Sequence, residues 1–129
     1  MVKNEEQQFL KFRYALALKN LLENNKKQKE FNLKNGIENL NLDYSYGKIS
    51  STTGLRPATI SNIISGISEM KIYTLDLILG SLGISYTEFG KMLDNVPQQE
   101  IFKYKETKER ERIERVKNKS KKKKINRKQ

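Results

Sequence analysis

Apolar residues recur every three or four positions over residues 7–25, with polar residues between them. This spacing places the apolar side chains on one face of a helix. The sequence therefore predicts an amphipathic first helix whose buried stripe consists of Leu10, Tyr14, Ala17 and Leu21, with Leu18 and Leu22 beside them.

Residues 26–44 allow two interpretations. Apolar and polar residues alternate on both sides of the pair Asn35-Gly36, at Phe31, Leu33, Leu40, Leu42 and Tyr44. Asn-Gly between alternating segments is typical of a β-hairpin. Alternatively, the first helix continues and Gly36 caps its end. The sequence pattern leaves both interpretations open.

Residues 45–66 predict two short helices joined by a tight turn. Ser45 can cap a helix that runs to about Thr53, and Gly54 ends it. Pro57 suits the first turn of the next helix, where its missing N–H is harmless, and Ser65-Gly66 ends that helix.

Two further helices are predicted before residue 97. One runs from about Tyr73 to Leu82, and Ser85 and Glu88 form a capping box at the start of the other. Because no strands alternate with these helices, we predict an all-α domain over residues 7–96, with at most one small hairpin. Its core-facing side chains are expected to be Ile49, Leu55, Ile60, Ile63, Leu75, Ile78 and Leu82.

The composition changes after Pro97, which marks residues 97–129 as a separate charged region. Residues 98–116 are predicted to form a charged helix, supported by the pairs Glu109/Arg112 and Glu111/Arg115. From Lys117 the chain has eight basic residues and no acidic ones, so a disordered basic tail is expected. The apolar residues of this region are too sparse for a coiled-coil seam: Ile101, Tyr104 and Ile113.

The residue types that are missing restrict the chemistry. The chain has no cysteine and no histidine, which excludes disulfides, cysteine nucleophiles and cysteine–zinc sites and removes the most common general base. No paired carboxylates or glycine-rich phosphate loop suggest catalysis. We therefore predict a protein without enzymatic activity, metal or cofactor. No apolar run approaches the ~18 residues of a membrane helix, so a cytoplasmic protein with no membrane partner is expected.

The register of residues 45–93 resembles the helix-turn-helix of the phage-repressor/Cro (Xre) family. Its characteristic positions are occupied here by Ser45, Ile49-Ser50, Gly54, Leu55, Ile60-Ser61 and Ser65-Gly66, and downstream by Leu82-Gly83-Ile84-Ser85. The resemblance implies a lambda-repressor-like five-helix fold, here with an insertion at residues 26–44 between helices 1 and 2 and a basic C-terminal tail. Two positions depart from the pattern: Tyr46 replaces a common Gln, and Arg56 replaces the usual capping Ser.

The resemblance also implies which residues meet DNA. Helix 57–65 would enter the major groove and contact bases through Arg56, Pro57, Ala58, Thr59, Ser61 and Asn62. The DNA backbone would be contacted by Tyr46, Lys48, Ser65, Ser68 and Lys71, and by the tail residues Lys121, Lys122, Lys123 and Lys124. These residues have ordinary alternatives: Asn62 and Arg56 as solvated polar residues, Thr59 with a locally bonded hydroxyl, Ala58 as helix filler, Tyr46 as a packing residue and the tail as an aid to solubility.

The charge distribution bears on this hypothesis. The net charge is +11, but residues 103–129 carry 14 basic residues and 4 glutamates, a net +10. Residues 45–73 have only Lys48, Arg56 and Lys71 against Glu69. DNA affinity depends on phosphate neutralisation, so the tail is expected to supply it.

The sequence thus favours a sequence-specific transcriptional regulator, associated with the nucleoid, that binds double-stranded DNA as a homodimer. Two alternatives remain. One is an antitoxin-like module that also contacts a protein partner through residues 26–44. The other is a non-specific nucleic-acid-binding protein driven by the tail.

Overall fold

The computed structural model describes residues 2–38 and 44–127, with side chains over residues 5–38 and 44–122. Within these ranges the secondary structure consists of six helices and no strand, which confirms the all-α prediction. The helices are α1 (Val2–Lys34), α2 (Tyr46–Thr53), α3 (Pro57–Ile64), α4 (Ile72–Leu82), α5 (Tyr86–Asn95) and α6 (Gln98–Arg127).

Helix α1 continues well beyond the predicted amphipathic segment. It runs to Lys34, and Gly36 follows with a φ of +67°, the left-handed conformation typical of helix ends. The N–H of Ile37 donates to the carbonyl of Asn32 at 2.9 Å. The helical interpretation is therefore confirmed as far as residue 38 and the hairpin is wrong there. The predicted alternation at Leu40 and Leu42 lies outside the described residues.

The helix caps predicted from the sequence form at the starts of α2 and α5 and at the end of α2. The Ser45 hydroxyl accepts the N–H of Lys48 at 3.2 Å, and Ser85 accepts the N–H of Glu88 at 3.1 Å. Gly54 has a φ of +79° and donates its N–H to Ser50. These hydrogen bonds satisfy backbone groups that a helix end leaves unpaired.

The main core lies between α1 and helices α2–α5. All the predicted inward side chains of α2–α4 are buried except Leu55, which is partly buried against the same cluster. Phe89 of α5 is also buried, and its ring lies 6.0 Å from that of Tyr14. The predicted stripe of α1 needs one correction, because Leu10 is half-exposed. The core residues that α1 supplies are Ala17, Leu18, Leu21 and Leu22.

A second side of α1 packs against α6. Phe12, Ala15 and Leu16 form a separate buried cluster with Ile101 and Tyr104. The first turns of α6 therefore pack against the domain, although they lie beyond the boundary expected at residue 97.

Helix α6 extends to Arg127, so the disorder expected from residue 117 is wrong as far as that residue. Residues 98–127 contain no Gly or Pro, and Lys, Arg and Glu are good helix formers. The low apolar content of this region argues against its burial. A helix that extends into solvent does not need to be buried, so the composition does not exclude it. Among the described side chains of α6, the ion pair joins Lys108 and Glu111 at 3.3 Å, and the two predicted pairs do not form. None of the helices searched, which cover the described residues, has the length and apolar character to cross a membrane.

One hydrogen bond joins α6 to the end of α3. The hydroxyl of Tyr104 donates to the backbone carbonyl of Ile64, in the last turn of α3. Both residues are buried, and burial raises the pKa of the Tyr104 phenol. The Tyr104 ring also lies edge-on to Phe12, with 6.0 Å between the ring centres. The three elements α1, α3 and α6 therefore meet at this tyrosine.

Replacing Tyr104 with Phe should lower the free energy of unfolding by about 1–3 kcal/mol, because the Ile64 carbonyl loses its buried donor. The difference between the wild type and Y104F should shrink as the pH rises above about 10. The raised pKa keeps the phenol protonated in the folded protein while the unfolded chain ionises it. Urea denaturation from pH 7 to pH 11 measures both effects.

Tyr73, which is exposed at the start of α4, provides the control. Tyr73→Phe should leave the free energy of unfolding at pH 7 unchanged. Equal effects of the two substitutions would contradict the role of the Tyr104 hydroxyl.

Candidate nucleic-acid interface

Helix α3 has one face in the core and one toward solvent. Ile60, Ile63 and Ile64 are buried against the main cluster. Positions three and four apart lie on one face of a helix, which places Ala58, Ser61, Asn62 and Ser65 on a different face from these isoleucines. The helical spacing of the isoleucines therefore determines which residues α3 presents outward.

The outward side of α3 combines small and polar residues. Arg56, Pro57 and Ala58 are exposed, whereas Thr59, Ser61 and Asn62 are half-buried. In the described part of the chain, no buried side-chain nitrogen or oxygen lacks a hydrogen-bond partner. The side chains of these three polar residues make no hydrogen bond there, so their polar atoms reach solvent. They are available to an external ligand.

Unlike α2 and α5, α3 has no side chain that caps its N-terminus. Arg56 occupies the N-cap position with extended backbone angles, and no side chain caps the helix. The Arg56 carbonyl accepts the N–H groups of Thr59 and Ile60 at 3.0 and 3.2 Å. The exposed guanidinium of Arg56 has no ion pair among the described residues. This end of α3 therefore has no side-chain cap and presents an exposed cation to solvent.

The turn after α3 is held against α1. The Asn62 carbonyl accepts the N–H groups of Ile67 and Ser68, at 2.9 and 3.2 Å. Gly66 has a φ of +73°, and a Cβ built on it would lie 2.2 Å from the Phe12 ring. Only glycine fits this close approach.

The residues predicted to contact the DNA backbone have different surroundings. Lys48 in the first turn of α2 and Lys71 before α4 are exposed, and Ser65 and Ser68 are half-buried. Tyr46 is partly buried against the main core, and this burial raises the pKa of its phenol. Its packing role is confirmed, and its contact with phosphate stays a prediction.

The tail lysines lie on α6. Lys121 and Lys122 are exposed, while the side chains of Lys123 and Lys124 fall outside the described side chains. The structure thus places the described tail cations on a helix anchored near the end of α3.

Several basic residues near α3 were missed by sequence reasoning. Lys11, Arg112 and Arg115 line a cavity together with Ser65 and Gly66. Tyr104 was also missed, although its spacing from Ile101 is that of a short apolar stripe on a charged helix. Such a stripe indicates packing but does not name the partner helix.

The described residues contain no cluster of three or more carboxylates that could hold a metal ion. No family model, no curated protein and no solved structure matches this chain.

Replacing Arg56 with Ser should raise the free energy of unfolding by about 1 kcal/mol, because the serine hydroxyl can accept an N–H group of the first turn of α3. Thermal or urea denaturation measures the gain. Arg56→Ala is the matched control, since it removes the guanidinium without adding a cap. If R56S is no more stable than R56A, the N-terminus of α3 does not need a cap.

Proposed function

We propose that this protein is a sequence-specific DNA-binding transcriptional regulator with a lambda-repressor-like helix-turn-helix formed by α2 and α3. The observation that carries the proposal is the outward side of α3. Its polar side chains have unused hydrogen-bonding groups, next to exposed small residues and an uncapped N-terminus. The Xre-type register of residues 45–93 supports the same conclusion.

The chemistry of α3 suits the major groove, which is wide enough for a helix and exposes distinct base edges. The Asn62 amide can donate to N7 and accept from N6 of an adenine. The methyl groups of Ala58 and Thr59 can pack against a thymine methyl, and Arg56 can reach a phosphate or a guanine. Ser61 adds a hydroxyl for a base or a phosphate.

On this proposal, the DNA backbone is contacted by residues at the two ends of the helix-turn-helix and by residues of α6. Lys48 and Lys71 are exposed and suited to phosphates on either side of the groove, with Ser65 and Ser68 between them. These few charges give modest affinity. The basic C-terminal half of α6 supplies the remaining positive charge. This charge raises the affinity for all DNA sequences alike. We further propose that two copies bind a palindrome with half-sites about one helical turn apart.

Selection of bound duplexes from a random pool should enrich one sequence with the intact protein. With Asn62→Ala, the preference at one base position should weaken by about 1–3 kcal/mol, because the bidentate contact is lost. Sequencing of the selected pools at a fixed salt concentration measures both.

Asn24→Ala is the control, since Asn24 is an exposed asparagine on α1 beside α5. It should leave the selected sequence unchanged. An unenriched pool with the intact protein would refute the specific-regulator proposal, and equal retention of all duplexes would favour non-specific nucleic-acid binding.

A second role, protein binding of the antitoxin type, is favoured by the far end of α1. Beyond the core, Phe31 and Leu33 are 57% and 69% exposed, and Ile37 after the helix is 50% exposed. Large apolar side chains that are exposed at one end of a helix are candidates for a protein contact. This role is compatible with DNA binding by α3.

The Phe31→Ser/Leu33→Ser double variant should lose a protein that co-purifies with the wild type from the native host. Both side chains are exposed, so the fold should persist. The Asn24→Ala variant serves again as the control. A partner that co-purifies equally with all three forms would exclude this end of α1 as the contact.

A further inference from the structure

A cavity of about 240 Å³ lies where three elements meet: the first turns of α1, the turn after α3, and the middle of α6. Its wall carries four basic side chains and two acidic ones, an excess of two positive charges. These charged residues are Lys11, Lys108, Arg112, Arg115, Glu109 and Glu111. The cavity shares Ser65 with the outward side of α3, and its charged wall residues belong to α1 and α6.

Half of this positive charge is not balanced by acidic residues on the cavity wall. Lys108 is paired with Glu111 at 3.3 Å. Among the described residues, Arg112 and Arg115 form no ion pair, and the Lys11 ammonium lies 5.6 Å from the centre of the Phe12 ring. Burial, and then the charge of Arg112, lower the pKa of Lys11, while the charges of Glu69 and Glu109 oppose this shift. An anion between these cations would reduce their repulsion.

The donors suit an anion with several oxygen atoms. A guanidinium offers parallel N–H groups that match phosphate oxygens, and an ammonium adds a point charge. The Ser65 side chain, also on the wall, makes no hydrogen bond among the described residues. Gly66 lies tightly against Phe12, so the turn that carries Ser65 is held at a fixed distance from α1.

We propose that this cavity binds a phosphate group, with Lys11, Arg112 and Arg115 as its main contacts. A DNA phosphodiester beside α3 and a free phosphorylated small molecule offer the same anionic oxygens. Only the DNA source depends on the DNA-binding function proposed above. Either source would join α6 to the end of α3 through its oxygens.

The first assay measures DNA affinity over a range of salt concentrations for Arg112→Gln. Loss of one phosphate contact should reduce the slope of log K against log salt by about 0.9 and weaken binding equally for all sequences. Arg110→Gln is the matched control, because Arg110 is exposed on the same helix and does not line the cavity. It should retain the wild-type slope.

The second assay measures thermal unfolding with and without pyrophosphate, at constant ionic strength set by chloride. If the cavity takes a free phosphorylated molecule, pyrophosphate should raise the Tm of the wild type and R110Q but not that of R112Q. Because Arg112 is exposed, R112Q should fold without ligand, and its Tm in chloride checks this.

The outcomes separate this proposal from the DNA-binding one. An R112Q-specific change in either assay supports the cavity and identifies the source of the phosphate. If R112Q and R110Q behave alike in both assays, the cavity proposal is overturned, even when a DNA sequence is selected. If no duplex is bound but pyrophosphate stabilises the protein through Arg112, the cavity proposal stands and the regulator proposal fails.

Discussion

Helix α1 packs on two sides, and the positions of the other helices depend on this. One side, with Leu18 and Leu21, forms the core with α2–α5, and the other, with Phe12 and Leu16, holds α6. Tyr104 then connects the two sides through its hydrogen bond to the carbonyl of Ile64. The last turn of α3 is therefore fixed by its own buried isoleucines and by α6. A helix held in this way presents its outward residues in a constant orientation, as recognition of a rigid ligand requires.

The helical state of the basic region changes how its charge can act. A disordered tail would sample many positions around the domain. A helical one extends away from the domain in a single direction from Tyr104, where α6 is anchored. From Arg115 to Arg127 the helix advances about 18 Å at 1.5 Å per residue. On the proposed function, the basic residues would follow a defined path relative to α3. The cavity beside Ser65 would be the point where this charge comes closest to the end of α3.

The sequence was most informative where hydrogen bonds are local. The caps at Ser45 and Ser85 and the left-handed Gly54 predicted helix ends that the structure confirms. The disorder predicted for residues 117–127 is wrong because low apolar content argues against burial and not against helix formation. Strong helix propensity without any Gly or Pro was enough to continue the helix. For residues 26–38, alternation over a few residues was too short to distinguish a strand from a helix.

The sequence by itself determined the all-α class, the helix ends between residues 45 and 85 and the face of α3 that its isoleucines bury. Caps and helical periodicity depend on atoms within about four residues of each other, so the linear pattern contains them. The tertiary structure alone decided that Leu10 is half-exposed, that Tyr104 reaches Ile64, and that Lys11 meets Arg112 across a cavity. The two contacts join residues that are 40 and 101 positions apart in the chain. They depend on which side of α1 receives α6, which no local hydrogen bond specifies.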